Sequence, residues 1–251
     1  MPEALLRVDG VTKRFGGLDA VANLSLLVST GELHAVIGPN GAGKTTLVNL
    51  LSGELLPTTG RIFFRDEDIS RSAPEKRSRL GIGRSYQKTN IFLPFTVWEN
   101  VRLSAQSRKP HSARWLHLAG GFAETNDRAE RALELAGLAS RRDSMAAAMS
   151  HGEQRQLEIA MTLATGPRVL LLDEPLAGMG TMEAERIVQL LLKLKPDHAM
   201  MLVEHDMDAV FRLADRISVL VSGSVIATGE PDAIRANADV KRAYLGDEVL
   251  A

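Results

Sequence analysis

The chain has 251 residues, ample for a large buried core, with 30 Lys and Arg against 31 Asp and Glu, a formal net charge of −1. That balance gives no global attraction to nucleic acid or to an anionic membrane surface. With no cysteine, disulfides and thiolate metal sites are excluded, as in a reducing compartment. Charge interrupts the apolar residues of MPEALLRVDG, so no secretory signal is expected, and no apolar run approaches the ~20 residues of a membrane-spanning helix. A soluble chain is predicted.

Leu5 to Phe15 alternates apolar and polar residues and predicts a half-exposed strand, and Asn23 to Val28 a second. Gly31 then turns the chain into Leu33 to Ile37, a short apolar run that reads as a buried strand. An antiparallel hairpin beside a parallel core follows. Phe15 is a core or edge aromatic, or a platform for a base if a nucleotide lies near.

Residues 38–45 read GPNGAGKT, and Gly38, Gly43, Lys44 and Thr45 match the phosphate-binding P-loop pattern. Leu47, Val48, Leu50 and Leu51 follow at helical spacing, so the motif has its strand before and its helix after. The loop must wrap backbone N–H groups around phosphate oxygens, an approach that a side chain at Gly41 or Gly43 would block. The helix N-terminus adds free amides and partial positive charge. Lys44 can neutralise outer phosphates, and the Thr45 hydroxyl can ligate Mg²⁺.

Gly53 to Gly60 reads as a turn, Arg61 to Phe64 as a strand, Pro74 to Leu80 as a short helix and Ile82 to Tyr86 as a strand ending at Gln87. Thr96 with Glu99 forms a capping box for a helix through Ala105. Gln106 to Gly121 has little pattern, and helical periodicity returns from Asp127 to Ala136. No strand signal stands between Gln87 and Gly166, which predicts a helical insertion, residues 88–166, within a single domain of residues 1–251. Ser150 with Glu153 forms a second capping box, opening a helix that Gly166 and Pro167 end.

Val169 to Leu172 is a fully apolar strand that delivers Asp173 and Glu174 at its end. Buried carboxylates are costly unless paired or metal-bound. With the P-loop, they read as the second half of an ATP–Mg²⁺ site, Asp173 on the metal and Glu174 facing the attacking water. Met182 to Lys195 is an amphipathic helix, and Met200 to Val203 is another buried strand, ending in Glu204-His205-Asp206. Parallel sheets place ligands at the carboxyl ends of their strands, which puts His205 near the γ-phosphate. Met207 to Ala214 is helical, Ile217 to Val221 and Ser224 to Ala227 form a hairpin, and two short helices finish the chain.

In this order the motifs resemble an ABC-transporter ATP-binding subunit along essentially the whole chain. The resemblance is carried by Phe15, the P-loop Gly38-Pro39-Asn40-Gly41-Ala42-Gly43-Lys44-Thr45-Thr46, Gln87, the signature Ser150-His151-Gly152-Glu153-Gln154, Leu171-Leu172-Asp173-Glu174-Pro175, and His205. It implies an α/β P-loop NTPase core with a parallel sheet, an N-terminal antiparallel β subdomain and an inserted helical subdomain. It further implies that Phe15 stacks on adenine, Gln87 ligates Mg²⁺ and senses a transmembrane partner, and His205 contacts the γ-phosphate. The signature would bind ATP held by a second subunit, in a head-to-tail homo- or heterodimer with two sandwiched nucleotides.

Finer features resemble importers of branched-chain amino acids: Phe15-Gly16-Gly17-Leu18, Arg155 to Ala160 after the signature, Val203-Glu204-His205-Asp206-Met207 and Ala243-Tyr244-Leu245-Gly246. Urea-type and aromatic-acid importers share much of this pattern. It implies permease subunits, an extracytoplasmic solute-binding protein and a place on the cytoplasmic side of the membrane. A soluble ABC-type ATPase acting on nucleic acid or ribosomes is the other class, but there is one cassette here and no basic concentration. Two positions depart from the pattern. His151 replaces the commoner signature glycine, and Gly180 stands where many relatives carry Asp or Asn, so the loop from Leu176 to Gly180 is expected to be looser.

Overall fold

The computed structural model describes residues 3–85, 90–107 and 120–242. The chain divides into two compact units. One comprises Met1–Ile82, Arg168–Glu174 and Lys195–Ala251, the other Gly83–Pro167 and Pro175–Leu194. The second contains all of residues 88–166 and, in addition, the segment after the paired carboxylates.

In the first unit, β1 (Ala4–Phe15) pairs antiparallel with β2 (Leu18–Ser29) and with β4 (Thr59–Phe64), and β4 with the two-residue β5 (Glu67–Asp68). β5 has no counterpart in the sequence reading, because two acidic residues carry no strand periodicity. The second sheet holds β3 (Leu33–Ile37), β7 (Val169–Asp173), β8 (Ala199–Val203), β9 (Arg216–Val221) and β10 (Ser224–Gly229). Their order is β10-β9-β3-β8-β7, parallel except for the β9–β10 hairpin. β6 (Ile82–Ser85) begins at the last residue of this unit. Every residue of β3, β7 and β8 is buried, which is why these strands read as unbroken apolar runs rather than alternating ones.

Between the sheets runs α1 (Lys44–Ser52), whose Leu47, Val48, Leu50 and Leu51 enter the same core as Leu6, Val8, Leu171 and Met201. Each such side chain stabilises the fold by roughly 1.5–3 kcal/mol. α2 (Pro74–Leu80) follows β5. It contributes Arg77, which has no exposed surface and donates to the carbonyls of Leu50, Leu51, Ser70 and Ser72. α7 (Met207–Leu213), α8 (Pro231–Ala236) and α9 (Ala238–Val240) complete the unit.

The second unit is helical: α3 (Val97–Gln106), α4 (Gly120–Leu135) and α5 (His151–Ala164) pack on one another, and α6 (Thr181–Leu194) packs on α5. Both predicted capping boxes form. Thr96 and Ser150 accept from the Glu99 and Glu153 amides, and those carboxylates accept from the cap amides in return. α4 begins before the periodicity at Asp127 announces it, since Gly120 and Gly121 are poor helix formers.

Candidate active site

The strand β3 ends at Ile37, and the chain enters the P-loop through Gly38 (φ 156°), Gly41 (φ 78°) and Gly43 (φ 105°). Gly43 caps α1 in the left-handed conformation without a side-chain hydrogen bond. The first-turn amides of Lys44, Thr45 and Thr46 therefore have no intrahelical acceptor. They face a cavity of about 370 Å³, lined by residues 40–46 together with Leu18, Asp19, Ala20, Glu174, Ser222 and Gly223.

The glycines serve two different needs. A Cβ at Gly43 would lie 2.1 Å from the Ala20 carbonyl oxygen, and one at Gly38 would lie 2.0 Å from that of Leu220. At these positions the chain's own backbone, not a ligand, takes the space that the sequence reading reserved at Gly43 for phosphate. A Cβ at Gly41 would meet nothing within 4 Å. Gly41 lines the cavity, so there the free space faces an incoming group.

Lys44 is buried and donates from Nζ to the carbonyls of Gly38 (2.6 Å) and Pro39 (2.9 Å). Burial pushes its pKa below the ordinary lysine range, against the pull of Glu174 and Asp173. The two carboxylates therefore lie within electrostatic reach of the P-loop lysine, as the spacing of motifs 130 residues apart could only imply. Asp173 is buried at the end of β7. Glu174 follows with φ 49°, a left-handed conformation unusual for this residue type, while its amide extends the β7–β8 pairing by donating to Val203 (2.9 Å). His205, just beyond β8, places Nε2 2.6 Å from Glu174 Oε1. A carboxylate accepts only, so Nε2 carries the proton.

Phe15 is 48% exposed, with Lys13 Nζ 5.0 Å from its ring centroid. It is an edge aromatic, not a core one. It is not among the lining residues, yet its register partner across the β1–β2 turn, Leu18, is. Gln87 lies outside the described residues, as do Ala243 to Gly246. Leu18, Asp19, Ala20, Ser222 and Gly223 are lining residues that sequence reasoning missed. Gly223 ties the wall together, donating to Ala42 (2.9 Å) and accepting from Ala22 (2.8 Å), a contact no motif announces.

In the second unit, the signature residues form the N-terminus of α5. The Ser150 hydroxyl donates to Glu183 Oε1 at 2.8 Å, and the Gly152 amide to the same oxygen at 3.3 Å. His151 is exposed on the first turn. Glu153 closes the capping box and pairs with Arg141 at 3.2 Å. Gln154 turns back to the carbonyls of Ala146 and Met149, so its amide group braces the loop before the helix.

The family profile described as "ABC transporter" matches residues 21–177, and one described as "Branched-chain amino acid ATP-binding cassette transporter" matches residues 224–249. The chain is 39% identical over 254 residues to the high-affinity branched-chain amino acid transport ATP-binding protein LivG of Escherichia coli (strain K12), across 98% of this chain and 100% of that one. It is likewise 39% identical over 258 residues to the protein of that description named BraF in Pseudomonas aeruginosa, again across 98% and 100%. Among solved structures, the ADP conformation of an ATP-binding cassette of an ABC transporter superposes with a TM-score of 0.85 at 29% identity, over 97% of this chain and 99% of that one. A P-loop cavity that gathers Lys44, Thr45 and Glu174, in a chain similar to these cassettes from end to end, makes this protein an ATPase of the ABC transporter family.

Proposed function

We propose that this ATPase energises an importer of branched-chain amino acids, docking on permease subunits at the cytoplasmic face of the membrane and served by an extracytoplasmic solute-binding protein. The observation that carries the reading is the full-length similarity to LivG and BraF, together with the separate match of residues 224–249. Among the described residues no helix is long and apolar enough to cross a membrane, so attachment would run through partners.

In this reading the amides of residues 41–46 and the one Lys44 N–H not given to Gly38 or Pro39 bind the phosphates of ATP. The exposed Thr45 hydroxyl and the Asp173 carboxylate are hard oxygen donors suited to Mg²⁺, with Gln87 as a further ligand. The ion would neutralise charge developing on the transferred phosphoryl oxygens. Glu174 accepts the proton of the attacking water, or orients it, and His205 holds the Glu174 carboxylate in place and reaches the γ-phosphate. Phe15, exposed beside Leu18, is the platform for adenine. Ser150 and Gly152 grip the nucleotide held by a second copy or a related subunit, and Glu153 and Gln154 fix the helix end that presents them.

The test is reconstitution with its permeases and binding protein in vesicles. ATP-driven uptake of leucine, isoleucine or valine, abolished by Glu174→Gln, is the expected result. Uptake of urea or aromatic acids instead would assign the chain to a neighbouring importer group, and ATP hydrolysis indifferent to any permease would assign it to the soluble ATPases.

A further inference from the structure

Within the second unit, the N-terminus of α5 already holds an anion, and it comes from the same chain. One oxygen of Glu183, in the first turn of α6, accepts from both Ser150 Oγ and the Gly152 amide. The Glu183 amide donates to the Gly180 carbonyl at 3.0 Å, so the residue that reaches α5 also anchors the first turn of α6. The fit depends on glycine at 152. A Cβ there would come within 2.8 Å of the Glu183 side chain. Ser150 above all, then the Gly152 and Gly180 amides, hold Glu183 below the ordinary carboxylate range, so it is ionised at neutral pH.

We propose that Glu183 is an internal competitor for the phosphate that Ser150 and Gly152 take from the nucleotide of a second subunit, and that it must leave α5 before the two subunits close. This rests on the cross-subunit role given to Ser150 above. Ser150 has one O–H and Gly152 one N–H, and neither can serve a carboxylate and a phosphate oxygen together. Two anions at that distance also repel. On leaving, Glu183 keeps the hydrogen bond from its backbone amide to the Gly180 carbonyl at the start of α6. Occupancy of the signature thus reaches the loop from Leu176 to Gly180 through one side chain. A carboxylate that merely strapped α6 to α5 would have the opposite signature, since its loss would weaken closure or leave it alone.

The experiment uses the Glu174→Gln protein, in which slowed hydrolysis should let ATP-bound dimers accumulate, and titrates ATP against dimer formed by gel filtration. Adding Glu183→Gln removes the charge at nearly unchanged shape, leaving only a neutral acceptor for Ser150 and Gly152. The ATP needed for half-maximal dimerisation should fall roughly three- to tenfold, the gap between a charge-assisted and a neutral competing hydrogen bond. Glu183→Ala should shift it in the same direction, and binding of a fluorescent ATP analogue to the monomer should be unchanged in both. An unchanged or raised ATP requirement overturns the competitor role. Ser150→Ala in the same background separates the two levels. If it weakens dimerisation while Glu183→Gln fails to strengthen it, only the competitor idea falls. If Ser150→Ala leaves dimerisation intact, the cross-subunit reading falls and the competitor with it.

Discussion

His205 Nε2 and Glu174 Oε1 lie 2.6 Å apart, joining the residue after β8 to the residue after β7. The contact fixes the imidazole tautomer and takes one carboxylate oxygen, while Glu174 also lines the cavity above the P-loop. Glu174→Gln keeps the shape but removes the charge and the base. Steady-state ATP hydrolysis should fall by on the order of 10²-fold or more, with ATP affinity retained. Equal turnover in wild type and variant, measured with phosphate release, would remove Glu174 from the chemistry.

Gly41 and Gly43 should respond differently to the same change. Gly43→Ala drives a methyl group into the Ala20 carbonyl and should disrupt the loop itself, lowering the melting temperature sharply. Gly41→Ala meets open space and carries only the left-handed backbone penalty, roughly 1–2 kcal/mol. It should fold and lose nucleotide affinity. Calorimetry of the two variants, with and without ATP, checks the contrast.

Arg77 is the internal clamp on the C-terminal end of α1. Its guanidinium serves four carbonyls, and burial pushes its pKa down to about 10. Arg77→Met keeps the aliphatic bulk but strands those carbonyls away from water. A loss of roughly 2–4 kcal/mol in urea unfolding is expected, with Arg77→Lys in between, because an ammonium cannot span all four. A loss under about 1 kcal/mol would mean that the carbonyls find other donors.

His34, near the start of the P-loop strand β3, sets a pH limit on the fold. Nδ1 lies 3.0 Å from the Leu27 carbonyl and must donate, so Nε2 accepts from Ser218 Oγ at 2.8 Å, and Ser218 in turn accepts from Thr228. Burial, chiefly, lowers its pKa from the ordinary 6.5. The unfolded chain therefore binds the proton first. His34 contributes full stability above about pH 6.5 and loses it as the pH falls toward the lower folded value, at about 1.4 kcal/mol per pH unit. His34→Gln should flatten this stretch of a stability–pH curve; an identical slope in the variant would assign the acid sensitivity to other groups.

Gly180 bears on the loop after the carboxylates. Its φ is not positive, whereas that of Gly178 is 73°, and a Cβ at 180 would meet nothing within 4 Å. Its carbonyl accepts from the amides of Glu183 and Ala184, so it stands at the cap position of α6. No left-handed backbone therefore demands glycine at 180. Gly180→Asn should raise stability by a few tenths of a kcal/mol through capping. A melting temperature below wild type would expose a constraint on the loop.

What the sequence determined by itself was local. The P-loop, both capping boxes and the two carboxylates at a strand end are set by spacings of a few residues, because caps, turns and buried strands are made from neighbours in the chain. Tertiary structure decided everything that depends on remote backbone. The Ala20 carbonyl that makes Gly43 obligatory sits on a strand of another sheet. The Ser218 hydroxyl that fixes His34 arrives from 184 residues away. Glu183 reads as an ordinary surface residue of an amphipathic helix, and only the packing of α6 on α5 brings it onto Ser150 and Gly152. Such contacts leave no periodicity behind, since a single polar side chain or carbonyl meets its partner through the path of the whole fold.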